Sequence, residues 1–273
     1  MFKNISLIIL AITLMLLPAS ACAPTPVTPE EQQTTTKEIQ YTVQLVLDSL
    51  DHDVSNAASE LSTADLSPEV ATRLFNVMLL KFPFLIDVCT TDASGRMVTV
   101  LPEAYSKYEG TDISQQPVTI QVTETKKPLL SSMFTTVEGM DAVVITWPII
   151  SDKGELMGSV SALFKPADLF AGIIKQGLEG TGIAIDVMQL NGLNIYDSTG
   201  YDTGVNLFTD PATQQYTELI ALGHQMVAEE SGTGSYSNVN HDTGKMIKKR
   251  AYWETVKLHD TAWRVMSSHV LAE

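Results

Sequence analysis

Along the chain, apolar residues fall into two kinds of period, and the order of those periods repeats. Residues Ile39, Val43, Val46, Leu50, Val54, Ala57 and Leu61 are spaced by threes and fours, which puts them on one face of a long helix. Ser67-Pro68-Glu69 reads as an N-cap, a first-turn proline and an acidic first turn, opening a short helix through Val70, Leu74, Val77 and Met78. The pattern then switches to strands at Phe84–Cys89 and Arg96–Leu101, joined by a turn at Asp92-Ala93-Ser94-Gly95. A polar, irregular crossing follows, and then strands near Leu129–Thr135, Ala142–Ile150 and Glu155–Phe164.

The same scheme begins again after a helix opened by Lys165-Pro166-Ala167-Asp168. Ile183–Gln189 and Leu193–Asp197 flank the hairpin turn Asn191-Gly192. Asp210-Pro211 opens a helix through Tyr216, Leu219, Ile220, Gly223 and Val227. Three strands close the chain at Ser235–Val239, Lys245–Val256 and Ala262–Val270. The expected fold class is therefore α+β: a long N-terminal helix followed by two tandem modules, each with a five-stranded antiparallel sheet.

The segments divide as follows. Residues 1–22 carry Lys3, an apolar run Ile5–Leu17 and Ala19-Ser20-Ala21-Cys22, the pattern of a secretory signal ending in a lipobox, with Cys22 as the lipidated residue. The apolar run is too short to span a bilayer. An ordinary cut near Ala21, releasing a secreted protein, is the alternative. Residues 23–37 are rich in proline and threonine and suit an extended tether. The N-terminal helical segment covers 38–83, the first module 84–164, a connecting helix 165–181 and the second module 182–273.

Composition narrows the function. Lys plus Arg number 17 against 32 Asp plus Glu, a net charge of −15. Such a chain lacks the basic field that nucleic-acid binding needs, and any membrane contact should come from an anchor. Beyond Cys22 the only cysteine is Cys89, in an apolar strand, so it is expected as a small core residue.

The order and spacing of these elements resemble the double Cache domains, PAS-like extracellular sensor modules of chemoreceptors and histidine kinases. The matching residues are the long helix, Asp92-Ala93-Ser94-Gly95, Gly110-Thr111-Asp112-Ile113, Lys127-Pro128, and Pro148 with Gly154 and Gly158. In the second, membrane-proximal module they are Asn191-Gly192-Leu193-Asn194-Ile195-Tyr196-Asp197 and Trp263-Arg264-Val265. The resemblance implies two PAS-like modules and a ligand site in the first, membrane-distal one. Amino-acid-binding members carry there an arginine, a tryptophan two residues on, a tyrosine next, a later tyrosine and an aspartate. Those positions are Gln116, Val118, Thr119, Phe134 and Leu163 here. A zwitterion would be left unpaired, so α-amino acids are not expected to bind in that way.

The residues left to line a first-module pocket are Tyr105, Tyr108, Gln116, Ser132, Phe134, Thr146 and Trp147. Such a lining suits a small neutral or weakly polar molecule. Enzyme signatures are missing: His52, His224, His241, His259 and His269 have no zincin spacing, and no Gly-x-Ser-x-Gly elbow occurs. Asp197, Asp202 and Asp210 carry oxygens suited to calcium but lack its loop pattern, so no metal and no cofactor are expected.

The function expected is extracytoplasmic small-molecule sensing by a lipid-anchored protein without an output domain, which passes its signal to a separate membrane kinase, receptor or transporter. The alternatives are a structural or adhesive surface lipoprotein with no ligand and, further off, a hydrolase built around a histidine.

Overall fold

The computed structural model describes residues 27–174, 178 and 180–271; the signal segment 1–22 and Cys22 lie outside them. Helix α1 (Pro29–Thr63) leads into α2 (Pro68–Lys81). Strands β1 (Leu85–Asp92) and β2 (Met97–Leu101) form the first hairpin. The crossing holds a 3-10 turn (Glu103–Tyr108) and α3 (Pro117–Thr125). Strands β3 (Leu129–Leu130), β4 (Phe134–Thr135), β5 (Asp141–Ile150) and β6 (Leu156–Phe164) complete the module. Helix α4 (Pro166–Ile174) connects to β7 (Ile183–Gln189) and β8 (Asn194–Asp197). Helix α5 (Thr217–Ala228) precedes β9 (Gly232–Val239), β10 (Met246–Leu258) and β11 (Thr261–Val270).

The two sheets have the same strand order, β2-β1-β6-β5-β3 and β8-β7-β11-β10-β9, and every pairing is antiparallel. The tandem α+β reading is thus borne out, with one refinement. The first sheet has six strands, because the strand expected over Leu129–Thr135 breaks into β3 and β4, both paired to β5. At the break, Ser131 turns its hydroxyl back to accept from Val144 N at 3.0 Å.

Helix α1 starts earlier than the sequence pattern predicts. The stretch expected as tether up to residue 37 is helical from Pro29 onward. A capping box explains the start: Thr28 Oγ1 accepts from Glu31 N at 3.1 Å, and Glu31 Oε2 accepts from Thr28 N at 2.8 Å. The added turns are held by polar groups, which an apolar-period search does not register. Gln32 is fully buried, donating to Ser267 O at 3.1 Å and accepting from Arg250 Nε at 2.9 Å. Thr36 and Ser267 share a hydroxyl hydrogen bond of 2.6 Å. The buried stripe also runs through Leu47 rather than Val46, which is only partly covered.

That stripe binds the two modules into one core. Val43, Leu47, Leu50 and Val54 join a cluster with Val143, Ile145 and Phe164 of the first sheet and Val256, Trp263 and Val265 of the second. Where the modules meet, Asp51 Oδ1 accepts from Trp147 Nε1 at 2.7 Å and hydrogen-bonds His259 Nε2 at 2.8 Å. Helix α1 is thus a rod to which both sheets attach, by apolar contact along its length and by polar contact at Gln32 and Asp51.

Candidate functional site

Each sheet shows one face to α1 and the other to the irregular crossing of its own module, and the two crossings pack differently. In the first module, Pro117 starts α3 and sets Val118 and Val122 one turn apart, on the side facing the sheet. They pack with Leu129, Val144 and Leu163, and with Ile86 and Phe134. Beside them, Tyr105, Tyr108 and Ile113 cover Cys89, Met97 and Val100. The valine pair of α3 is the signal that a reading of this crossing as polar and irregular passes over.

The seven residues expected around a first-module pocket are therefore not brought together. Thr146 is buried and shares a 3.0 Å hydrogen bond with Ser161, while Trp147 points to the opposite face and bonds Asp51 on α1. Adjacent strand residues cannot line one hollow. Ser132 is exposed, Gln116 is the N-cap residue of α3, and Phe134 packs into the α3 cluster. Tyr105 and Tyr108 stack on each other with centroids 6.4 Å apart. Tyr105 also borders a recess of about 760 Å³ between β1 and α4, lined largely by apolar side chains such as Phe84, Leu85 and Ile173.

Under the crossing, Asp87 is 2% exposed and its Oδ2 has no partner among the described residues. Burial, with repulsion from Glu138, pushes its pKa up to about 8. The unfolded carboxyl ionises near its ordinary 3.8, so the folded chain keeps a proton that the unfolded chain has lost. Stability contributed at this position therefore falls as pH rises above about 4, and levels off above about 8. Asp87→Asn is expected to stabilise the protein by on the order of 5 kcal/mol at pH 8 and by almost nothing near pH 3, read from urea melts at the two pH values.

The second module is open where the first is filled. Strand β7 alternates Ile183, Ile185 and Val187 toward the core with Ala184, Asp186 and Met188 toward the crossing. The crossing, residues 198–216, arches over this face with α5 and encloses a cavity of about 520 Å³. This lies in the range of small-molecule sites. It occupies the place between sheet and crossing where the sequence predicts a site, but in the other module.

Aspartates shape this cavity. Asp197 organises the loop: its carboxylate accepts from the backbone N–H groups of Thr199, Tyr201 and Asp202 at 2.8 to 2.9 Å, and from the Thr199 hydroxyl. It is saturated. Asp186 lies opposite it in the β7–β8 pairing and, among the described residues, has a single long contact, accepting from Asn194 Nδ2 at 3.4 Å. Burial, with Asp197 and Asp202 adding repulsion, pushes the Asp186 pKa to about 7 against the pull of Lys249. Asp202 stands at the mouth, 3.9 Å from His241, and burial followed by Asp197 raises its pKa as well.

Further in, Asn238 is 8% and Ser268 1% exposed; both line the cavity, and Asn238 Oδ1 and Ser268 Oγ have no hydrogen-bond partner among the described residues. Asn194 Oδ1 is also unpartnered. Such groups are costly to leave unsatisfied in a dry interior. Tyr201 stacks on His241 with centroids 4.4 Å apart, and its hydroxyl donates to Asp242 at 2.8 Å, which ties the crossing to the β9–β10 turn.

None of Asp186, Asn194, Asn238, Lys249 or Ser268 stands out in the sequence as a site residue. The available signal is Asp186, a lone carboxylate inside an otherwise apolar strand. Among the described residues no group of three His, Cys, Asp or Glu side chains could hold a metal ion.

Residues 45–166 match the family model described as "HK/GC/Chemotaxis protein-like, sensor domain". Among solved structures, the chain is similar to an extracellular ligand-binding receptor from Desulfohalobium retbaense, with 27% identity and a TM-score of 0.73 over 89% of this chain. It spans 41% of that receptor chain, less than half its length. The ligand-binding domain of the Pseudomonas aeruginosa amino-acid chemoreceptor PctB, solved with L-arginine, matches at 16% identity and a TM-score of 0.61, over 88% of this chain and 87% of its own. The periplasmic sensory domain of the Campylobacter jejuni chemoreceptor Tlp1 matches at 14% and 0.56, over 88% and 91%. At those two identities the likeness is one of fold. No curated protein sequence matches the chain.

Proposed function

We propose that this chain, which has the Cache-type fold of extracellular ligand-binding sensor domains and matches the HK/GC/chemotaxis sensor model over residues 45–166, is a small-molecule sensor outside the cytoplasm whose ligand sits in the second module. The observation that carries the reading is the cavity of about 520 Å³ between the second sheet and its crossing, with buried polar atoms that lack partners. In the first module the corresponding space holds Val118 and Val122.

A route for the signal follows from strand alternation. Ser268 faces the cavity, while its neighbour Ser267 faces α1 and holds Gln32 and Thr36. A ligand that draws β11 and the crossing together biases the seating of the first turns of α1. The two states differ in ligand affinity, so occupancy shifts their populations. Helix α1 begins at Pro29, close after the lipobox cysteine. Movement there is felt at the membrane surface if Cys22 carries lipid, and a separate membrane kinase or receptor reads it. No helix among the described residues is long and apolar enough to cross a membrane.

A thermal-shift screen of metabolites on the full chain tests the sensing function. Ligand at about a hundred times its dissociation constant adds about 2.7 kcal/mol of stability. A screen with no stabilising compound counts against any ligand and favours a structural role. Mass spectrometry of the mature N-terminus tests the anchor, with a lipid-modified Cys22 as the expected result and an unmodified one as the contrary.

A further inference from the structure

The second-module cavity carries a chemical bias that identifies the class of its ligand, given the proposed function that a ligand binds there. Its walls hold five carboxylates, Asp186, Asp197, Asp202, Asp210 and Asp242, against one lysine, Lys249. Asp197 is fully used by the loop N–H groups, whereas Asp186 has only its 3.4 Å contact with Asn194 and Asp202 only the distant His241. The unpartnered atoms share the same sense. Asn194 gives its amide N–H to Asp186, which leaves its carbonyl oxygen free as an acceptor. Asn238 Oδ1 is likewise an unpartnered acceptor, and Ser268 Oγ can accept. Unpartnered acceptors, around carboxylates that outnumber the one lysine, call for a guest that brings N–H groups and positive charge.

We propose that this cavity binds a small organic cation, a primary amine or its ammonium relatives, with its charge held by Asp186 inside and Asp202 at the mouth and its N–H groups accepted by Asn194, Asn238 and Ser268. An anion would face the carboxylates with Lys249 alone to offset them. A neutral polyol would leave Asp186 with only the pull of Lys249 to offset its charge in a dry site, where unpaired charge is costly. A metal ion is disfavoured because no described trio of carboxylate, histidine or cysteine ligands converges. The buried position of Asp186 adds a dependence on pH. Its proton leaves near pH 7, so amine binding releases a proton below that value and strengthens as pH rises through it. Asp197, Asp202, Lys249 and Asn194 face the same carboxylate, and His241 stands at the mouth beside Asp202.

The test is calorimetry on the full chain with ethanolamine, choline, putrescine and agmatine, set against serine, glycerol, acetate and calcium chloride. At least one amine is expected to bind, more tightly than serine, the carboxylated counterpart of ethanolamine. Its affinity should fall about tenfold or more in Asp186→Asn, and also on lowering the pH from about 8 to about 6. Asp202→Asn, at the exposed mouth, serves if Asp186→Asn does not fold, and Asp87→Asn in the first module should bind as the unaltered chain does. Binding of glycerol, acetate or calcium in preference to every amine, or amine binding untouched by Asp186→Asn and Asp202→Asn, overturns the cation assignment while leaving a second-module ligand standing. Silence of all eight compounds overturns the cation assignment as well. The broad metabolite screen then decides separately whether any ligand binds.

Discussion

Replacing Arg264 by methionine is expected to cost about 3 kcal/mol and to abolish ligand binding in the second module. The side chain is 4% exposed and closes the C-terminal end of α5. Its Nε donates to Met226 O at 2.6 Å and to Glu229 O at 3.1 Å, and its Nη2 donates to Val227 O at 3.3 Å. These carbonyls belong to the last turn of the helix, which has no partners of its own for them and where a positive charge is favoured. Methionine fills much of the volume but returns none of the donors. Because Leu219 and Met226 of this helix roof the cavity, its loosening opens the site to water. Urea melts and ligand-induced thermal shifts on the same sample check both halves. A variant within about 1 kcal/mol of the parent that still binds ligand would contradict the capping role.

Gly158→Ala should be at least as damaging, and in the other module. An added Cβ at this position would lie 1.9 Å from the carbonyl oxygen of Thr91, a contact no rotamer change can relieve because the backbone fixes the Cβ and the oxygen is itself a backbone atom. Gly158 faces Asp92 across the β1–β6 ladder, next to the Thr91–Ser159 pair, whose hydroxyls share a 2.7 Å hydrogen bond. The strands must part at that point, and the face of β6 toward α1 loses its fit. A loss of about 4 kcal/mol or more is expected, seen as a lowered melting midpoint or as insoluble protein. Gly154→Ala, at a turn where the added atom meets nothing within 4 Å but the backbone φ is +79°, should cost about 1 kcal/mol.

Much of this architecture is visible in the sequence because its signals are local. The 3.6-residue period of Ile39 to Leu61, the capping pair Ser67-Pro68 and the hairpin at Asn191-Gly192 each specify one element from neighbouring residues. Departures occur where distant groups decide. Pro29 to Thr36 is helical because Gln32 and Thr36 find Ser267 and Arg250, more than two hundred positions away. Strand β9 begins at Gly232 rather than Ser235, although glycine is a poor strand residue, because the Trp253 ring lies where a side chain would be. Helix α5 starts at Thr217 rather than at Asp210-Pro211, since the Asn206 and Asp210 side chains accept from Phe208, Thr209 and Ala212 N–H groups and hold that stretch in turns.

The proposed site shows the same division. Its position between a sheet and a crossing follows from the repeated module, but the choice of module does not. That choice depends on whether apolar side chains of the crossing reach the sheet. Val118 and Val122 do so in the first module, whereas in the second Asp197 pins its own loop in place and leaves the β7 face uncovered. Trp147 illustrates the limit for single residues: its rank as an aromatic near a pocket depends on strand phase, and the phase turns it to Asp51.

Hydrogen-exchange mass spectrometry of the full chain, with and without the amine panel, tests the central claim most directly. Slowed exchange is predicted in residues 198–216 and in α5, with a smaller change at the first turns of α1 where Gln32 and Thr36 meet Ser267. Protection confined to residues 102–135, with the second module unchanged, would place the ligand in the first module and contradict the account.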